Sequence, residues 1–137
     1  MAKTRTIHQR AIIPATPREV YDAFISVRLH AEFTGEDAEG SSAVGGEFHA
    51  YGDYITAKNM QLVPGELIVQ EWTTSEWPEG APPSILKLEF KEAPLRGTEI
   101  IMTQTLVPAE QAADYEAGWK ESYWDKLVAY FSKGHGR

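Results

Sequence analysis

Alternation of apolar and polar residues is clearest in the segment SILKLEF, residues 84–90. Leu86, Leu88 and Phe90 would share one face of an extended strand, with charged residues between them on the other face. One buried and one solvated face is typical of a strand in an antiparallel sheet. Looser alternation and β-branched residues predict further strands at residues 4–13, 66–72 and 97–106.

Two more strands are predicted as a hairpin in the centre of the chain. Segments 46–52 and 54–63 have a strand-like composition and meet at a Gly-Asp turn. The register of the second strand is open: either Asn59 and the alternate positions before it face inward, or Met60 does. An inward Asn59 would need a hydrogen-bond partner from the protein or from a ligand. The Gly-, Ser- and acid-rich segment 34–47 is typical of a loop.

A helix is predicted directly after the first strand. Thr16 is suited to the N-cap, Pro17 to the first helical position, and Glu19 completes a capping box three residues after the cap. The apolar stripe that follows consists of Val20, Tyr21 and Phe24. A second short helix is predicted at residues 27–33.

The C-terminal segment is predicted to form one long helix that begins at Pro108 and is interrupted near Gly118. At about 100° per residue its large apolar side chains sweep an arc of about 180°. That arc is formed by Trp119, Tyr123, Trp124, Leu127, Val128, Tyr130 and Phe131. We expect the arc to pack on the sheet, with its first residues at a pocket and its last residues in the core.

Lys120 interrupts this arc. With Gly118 placed at zero and about 100° per residue, Lys120 lies at about 200°, in the middle of the apolar arc. A buried, unpaired ammonium is costly, so the head group must reach water or a partner. Two interpretations are open. Lys120 either extends its stem along the apolar surface into water beyond the sheet edge, or lies at a pocket mouth and faces a polar or anionic group of a ligand.

The order of these elements predicts an α+β fold in one domain, residues 1–137. A strand and two short helices precede five or six antiparallel strands, and a long helix follows them. Short turns between the strands make a meander with one apolar face. The last helix is the element long enough to cover that face, so the sheet is expected to curve around it.

Composition narrows the classes of partner and compartment. The chain has 13 Lys and Arg against 20 Asp and Glu, a net charge of -7, which argues against nucleic acid and anionic membranes as partners. It contains no cysteine, no apolar signal segment and no run of about 20 apolar residues. We therefore expect a cytoplasmic protein.

Motifs for catalysis or cofactor binding are not recognisable. His8, His30, His49 and His135 lack the spacing of a metal site, and the acidic run Glu36, Asp37 and Glu39 lacks that of an EF-hand. The chain has no G-x-S-x-G, G-x-G-x-x-G or Walker motif. The sequence predicts no catalytic residue, metal ligand or cofactor. Carboxylates that would act as acid or base if buried are Glu47, Glu71 and Glu76.

Several motifs in order resemble one known family: PREVYDAF, VGGEFHAYGDYITAKN, LVPGELIVQEW, SEWPEG, LKLEF, GTEI and AGWKESYWDKL. The chain resembles the activator-of-Hsp90-ATPase family, in its C-terminal-type domain, within the START-like, helix-grip (SRPBCC) superfamily. The resemblance implies a deep cavity between a long helix and a curved antiparallel sheet. Ligand carriers, enzymes and co-chaperone domains share this scaffold. The resemblance also implies that the eukaryotic activators dock on the chaperone mainly through a separate N-terminal domain, and we do not expect that domain within these 137 residues.

Three functions are therefore considered, with ligand binding first. A hydrophobic small molecule would lie under the C-terminal helix, against walls formed by Phe33, Phe48, Trp72, Leu88, Met102, Trp119 and Tyr123. Lys120 and Asn59 would supply polar contacts, and Trp77, in a Pro- and Gly-rich loop, would plug the core edge or guard the cavity. The alternatives are an interaction domain for a chaperone protein and an enzyme that uses the same cavity. The protein is expected to be a monomer or a homodimer.

Overall fold

A computed structural model describes residues 3–134. Among these residues, seven antiparallel strands form one sheet in the order β1-β7-β6-β5-β4-β3-β2. The strands are β1 Thr4–Ile13, β2 Ala38–Gly40, β3 Glu47–Ala50, β4 Ile55–Val63, β5 Leu67–Thr74, β6 Ser84–Ala93 and β7 Gly97–Pro108. The predicted α+β fold is confirmed, and the predicted first strand has the observed bounds.

The helices lie where the sequence predicts them, except that the C-terminal helix starts later and contains a π-helical turn. Helices α1 (Pro17–Ile25) and α2 (Val27–Thr34) follow β1. The C-terminal helix consists of α3 (Ala112–Trp119), a π-helical turn (Lys120–Trp124) and α4 (Asp125–Ser132). It begins at Ala112 rather than Pro108, because β7 continues to Pro108 and a tight turn follows, closed by the Gln111 N–H donating to the Pro108 carbonyl at 3.0 Å.

Strand β2 lies within the segment that was predicted to be a loop. It pairs with β3, and Gly40 faces Phe48 in the register. A Cβ atom on Gly40 would lie 2.3 Å from the Glu47 carbonyl oxygen, and the φ of Gly40 is 114°. Only glycine allows this close approach of two backbones, so the residue that indicated a loop instead permits the pairing.

The capping box predicted for α1 is present. The Glu19 N–H donates to Thr16 Oγ1 at 3.3 Å, and the Thr16 N–H donates to Glu19 Oε1 at 3.0 Å. These two bonds satisfy backbone groups that a helix end leaves unpaired. Ser26 caps α2 in the same manner, accepting a bond from the Leu29 N–H at 3.3 Å. The two caps fix the entry angles of both short helices.

Strand β4 has the register in which Asn59 faces inward. Asn59 is buried, like the alternate residues before it, whereas Met60 is 45% exposed, as ordinary alternation requires. A β-bulge acts after this point: the pairing with β5 shifts between Asn59 and Gln61, which makes Met60 the extra residue. Because a bulge reverses the alternation that follows it, Leu62 also packs against the core.

The π-helical turn changes which residues of the C-terminal helix face the sheet. Within it the Asp125 N–H donates to the Lys120 carbonyl, five residues back. One extra residue in a helix shifts the following face by about 100°. The buried residues before the turn are Ala112, Tyr115 and Trp119, and those after it are Leu127, Tyr130 and Phe131. In a straight-helix count the two groups are centred about 90° apart, as the extra residue requires.

This shift corrects two placements made with a straight-helix count. The Lys120 side chain is 70% exposed, and its ammonium lies 2.9 Å from Asp125 Oδ2. Val128, expected at the core end, is 38% exposed. Each residue lies about 110° from the centre of the buried face of its own half of the helix, because the apolar arc is two offset stripes rather than one.

The turn between β6 and β7 offers a test of backbone strain. Leu95 (φ 62°, ψ 35°) and Arg96 (φ 60°) are both left-handed, and Leu95 is 100% exposed. Asn-Gly is the preferred pair for such a turn. We expect the double substitution L95N/R96G to raise the free energy of unfolding by about 1–2 kcal/mol. Thermal unfolding should show a higher Tm. The single variant L95A is the control, because it retains the left-handed strain; equal Tm values for both variants would contradict the strain argument.

Candidate functional site

A cavity of about 340 Å³ lies between the first half of the C-terminal helix and the β3–β4 turn with strands β4 and β5. Ligand pockets in proteins typically start at about 300 Å³. We call it the aromatic cavity, because its lining consists of Tyr51, Tyr54, Ile55, Trp72, Asp114, Tyr115, Gly118, Trp119, Ser122 and Tyr123. Rings thus dominate the wall, and Asp114 is its charged residue.

Three of the predicted site residues meet in this cavity: Trp72, Trp119 and Tyr123. Trp119 is central to the group. Its ring centroid lies 5.6 Å from that of Trp72 and 4.9 Å from that of Tyr123. The remaining predicted wall residues are buried in the core instead: Phe33, Phe48, Leu88 and Met102.

The polar residues predicted for the site lie elsewhere. Asn59 donates to the carbonyls of Ser41 and Ala43 at 3.0 and 3.1 Å and accepts from Gln70 Nε2 at 2.8 Å. Protein groups therefore supply its bonds. Lys120 borders a surface groove on the other side of the helix, near Trp124 and Val128. Neither side chain lines the aromatic cavity.

Trp77 lies beside the cavity wall. Its ring stacks on Tyr115 at 5.9 Å between centroids and meets Trp72 edge-on at 6.2 Å. Its Nε1–H donates to the Pro82 carbonyl at 3.0 Å, which holds the loop in place. Trp77 therefore supports two lining rings, and its predicted gating role stays a prediction.

Seven of the ten residues that line the cavity were not predicted from the sequence. Tyr115 is one helical turn before Trp119, so the helical period continued upstream would have found it. Tyr51 and Tyr54 flank the predicted Gly-Asp turn, and no local pattern indicates that this turn lies against the helix. Asp114, Gly118 and Ser122 also had no recognisable signal.

The Tyr51 hydroxyl fastens the β3–β4 turn to the helix. It donates to the carbonyl of Ser122, inside the π-helical turn. Tyr51 itself has a left-handed φ of 54°, a conformation that costs energy for a residue with a side chain. Burial raises the pKa of the Tyr51 phenol. The strained residue and the widened helical turn therefore hold one wall of the cavity together.

Hydrogen bonds also orient Trp119 and Tyr115. Trp119 Nε1–H donates to Gln104 Oε1 at 2.8 Å, and Gln104 Nε2 donates to Ser84 Oγ at 3.1 Å. The Tyr115 hydroxyl donates to Gln111 Oε1 at 2.8 Å and lies 2.7 Å from Thr74 Oγ1. Since these polar atoms are bound to protein groups, the rings present their carbon faces and edges to the cavity.

His30 forms a buried pair with the cavity residue Tyr123. His30 Nδ1 lies 2.7 Å from the Phe24 carbonyl oxygen, which can only accept, so Nδ1 carries the hydrogen. Nε2 then accepts from the Tyr123 hydroxyl at 2.9 Å. Burial lowers the pKa of His30 to about 4, and burial raises the pKa of Tyr123 well above its usual value. Both groups are therefore neutral at neutral pH.

Other chemistry considered from the sequence receives no new support. Among residues 3–134, no group of three or more His, Asp and Glu side chains is arranged to hold a metal ion. Glu47 and Glu76 are exposed and Glu71 is partly exposed, so burial does not prepare these carboxylates as acids or bases. His135 lies outside the described residues. Among residues 3–134, no helix has the length and apolar character that a membrane span requires.

A curved antiparallel sheet that holds a C-terminal helix over an aromatic cavity defines a START-like protein of the helix-grip class. Within that class, the family model described as Activator of Hsp90 ATPase homolog 1-like protein matches residues 14–132. The chain belongs to this family. The resemblance recognised in the sequence motifs is thereby confirmed.

A relative with a similar sequence agrees with this assignment. An activator of 90 kDa heat shock protein ATPase homolog from Dictyostelium discoideum is 30% identical over 130 residues, which cover 94% of this chain and 33% of the relative. The chain thus spans about a third of that relative's length.

Solved structures show the same fold. An HSP90 activator from Plasmodium falciparum superposes with a TM-score of 0.85 at 18% identity, covering 93% of this chain and 96% of that one. CalU16 from Micromonospora echinospora superposes with a TM-score of 0.76 at 22% identity, covering 98% and 78%. At such identities the likeness shows the fold alone.

Proposed function

We propose that this chain is a small-molecule-binding domain whose ligand lies in the aromatic cavity. The observation that carries the proposal is the cavity itself: about 340 Å³ remain between the helix and the β3–β4 turn, and large rings line this space. The Tyr51 bond to the π-helical turn supports the open arrangement.

The rigidity of the wall supports binding rather than collapse. A hydrogen bond to another side chain fixes each of three rings in the wall, those of Trp119, Tyr115 and Tyr123. A ligand that enters such a site loses little free energy to side-chain ordering, because the protein has already ordered the rings. A mainly apolar molecule matches a wall with few free polar atoms.

Gly118 allows the cavity to be filled without removing any wall residue. A Cβ atom added at Gly118 would have no heavy atom within 4 Å. We expect wild-type protein to bind the neutral fluorophore N-phenyl-1-naphthylamine, and G118L to bind it at least about tenfold more weakly, because leucine occupies the ligand's space. Fluorescence titration measures both affinities. Leucine also favours the helix over glycine, so G118L should keep or raise the Tm.

Ala113 provides the matched control for this experiment. It is exposed on the same helix and does not line the aromatic cavity. A113L adds the same apolar side chain to the protein and should bind the fluorophore as wild type does. Absence of binding to wild-type protein, or equal binding by wild type and G118L, would refute ligand binding in this cavity.

A second candidate is interaction with an Hsp90-type chaperone, which family membership and the name of the Dictyostelium relative support. The test is the ATPase rate of a purified Hsp90-type chaperone with and without this chain, together with a direct binding measurement. Stimulation that persists in G118L would separate a chaperone interaction from ligand binding. No binding and no stimulation would remove this candidate.

A further inference from the structure

The charge of the aromatic cavity's own lining has one sign. Asp114 is the charged residue of the lining, and within residues 3–134 no Lys, Arg or His side chain belongs to that lining. Asp114 is exposed and has no ion-pair partner in this part of the chain. A ligand with negative charge would meet an unpaired carboxylate and no basic group, so this wall disfavours anions.

Two tyrosine rings of the cavity lining are arranged as good acceptors for a cation. The Tyr54 hydroxyl donates to Glu76 Oε1 at 2.7 Å, and the Tyr123 hydroxyl donates to His30 Nε2 at 2.9 Å. Donation to a strong acceptor polarises a phenol and increases the electron density of its ring. The faces of Tyr and Trp rings attract cations through their quadrupole, most strongly where water is excluded.

Two basic residues lie behind these rings. His30 is neutral at neutral pH, because burial lowers its pKa to about 4, so it does not repel a cation. Lys126 lies outside the cavity lining, and its ammonium donates to the Thr34 carbonyl at 2.8 Å. The same ammonium lies 5.7 Å from the centroid of the Tyr51 ring. It repels a second cation at that ring, so the charge of a ligand is expected among the other rings of the lining.

We propose that the aromatic cavity selects an organic cation: a quaternary ammonium or protonated amine attached to an apolar group, with its charge among the rings and near Asp114. This inference rests on the proposed function, since it names the ligand class of the same cavity. A competing explanation is that Asp114, in the first turn of α3, only stabilises the helix dipole. The two explanations differ in whether Asp114 affects ligand affinity.

The test compares two probes of equal shape and different charge. Phenyltrimethylammonium is a cation, and tert-butylbenzene is its neutral carbon isostere. Each competes with N-phenyl-1-naphthylamine for the cavity of the intact chain. We expect the cation to compete at least about tenfold more strongly than the isostere, as a desolvated cation–aromatic contact provides.

Substitution of the carboxylate locates the effect. D114N should weaken the binding of phenyltrimethylammonium by about fivefold to tenfold, because asparagine keeps the size of the side chain and removes its charge. The affinity for tert-butylbenzene should not change. E116Q is the matched control: Glu116 is exposed on the same helix, outside the aromatic cavity, and its substitution should change neither affinity.

The outcomes separate this inference from the proposed function. Equal affinity for the two probes, or an unchanged cation affinity in D114N, overturns cation selection, while binding of the neutral fluorophore leaves the ligand-binding function intact. If wild-type protein does not bind the fluorophore, the ligand-binding function itself is refuted, and cation selection is refuted with it.

Discussion

Replacing Trp119 with alanine is expected to lower the free energy of unfolding by about 3–5 kcal/mol. Trp119 is 2% exposed and its ring lies within 5.6 Å, between centroids, of Trp72, Tyr123 and Trp124. The substitution removes this buried area, leaves a void, and deprives Gln104 Oε1 of its donor. Chemical denaturation followed by circular dichroism measures the loss, since removing a tryptophan also changes the fluorescence.

Two matched variants divide this loss into its causes. W119F keeps a ring but lacks the N–H, so Gln104 Oε1 is left unpaired at a cost of about 1–3 kcal/mol. W77A removes a Trp from the adjacent loop, where the ring is only partly buried. It should lower the free energy of unfolding less than W119A does. A W119A loss no larger than that of W77A would contradict the central position of Trp119.

Local sequence rules explain why the fold was predictable. The alternation of Leu86, Leu88 and Phe90 corresponds to three buried side chains on β6, and the Thr16 capping box starts α1. Such patterns depend on residues close together in the chain, where the strand and helix periods act directly. The element order then left few ways to cover the apolar face of the sheet, and the C-terminal helix covers it.

The cavity was less predictable, because it depends on contacts between distant residues. The bond from Tyr51 to Ser122 joins residues 71 positions apart. Gly118 indicated an interruption of the helix nearby, but no local signal indicated a π-helical turn, which shifts the phase of the helix. A count at constant angle therefore placed Lys120 among the apolar residues, whereas the structure pairs it with Asp125 on the surface. The same distance between partners concealed His30, whose partner Tyr123 is 93 residues away.

Lowering the pH is expected to destabilise the protein through His30. Its pKa in the folded protein is about 4, below the value of about 6.5 for an exposed imidazole. Between these values the unfolded chain binds a proton that the folded protein does not, so the free energy of unfolding falls as the pH decreases. The loss begins below about pH 6.5, reaches about 2.5 kcal/mol near pH 4.5 and about 3 kcal/mol near pH 4.

Comparison of variants isolates this contribution, because carboxylates also titrate in acid. Denaturation at pH 7 and at about pH 4.5 should show a stability loss that is about 2.5 kcal/mol smaller in H30Q than in wild type, since glutamine has no proton to bind. H8Q, at an exposed position on β1, should lose as much as wild type. NMR titration of wild-type protein checks the same point without a variant: the His30 ring should not charge above about pH 5. Equal losses in H30Q and wild type, or a His30 ring that charges near pH 6.5, would show that the imidazole is not held neutral between Phe24 and Tyr123.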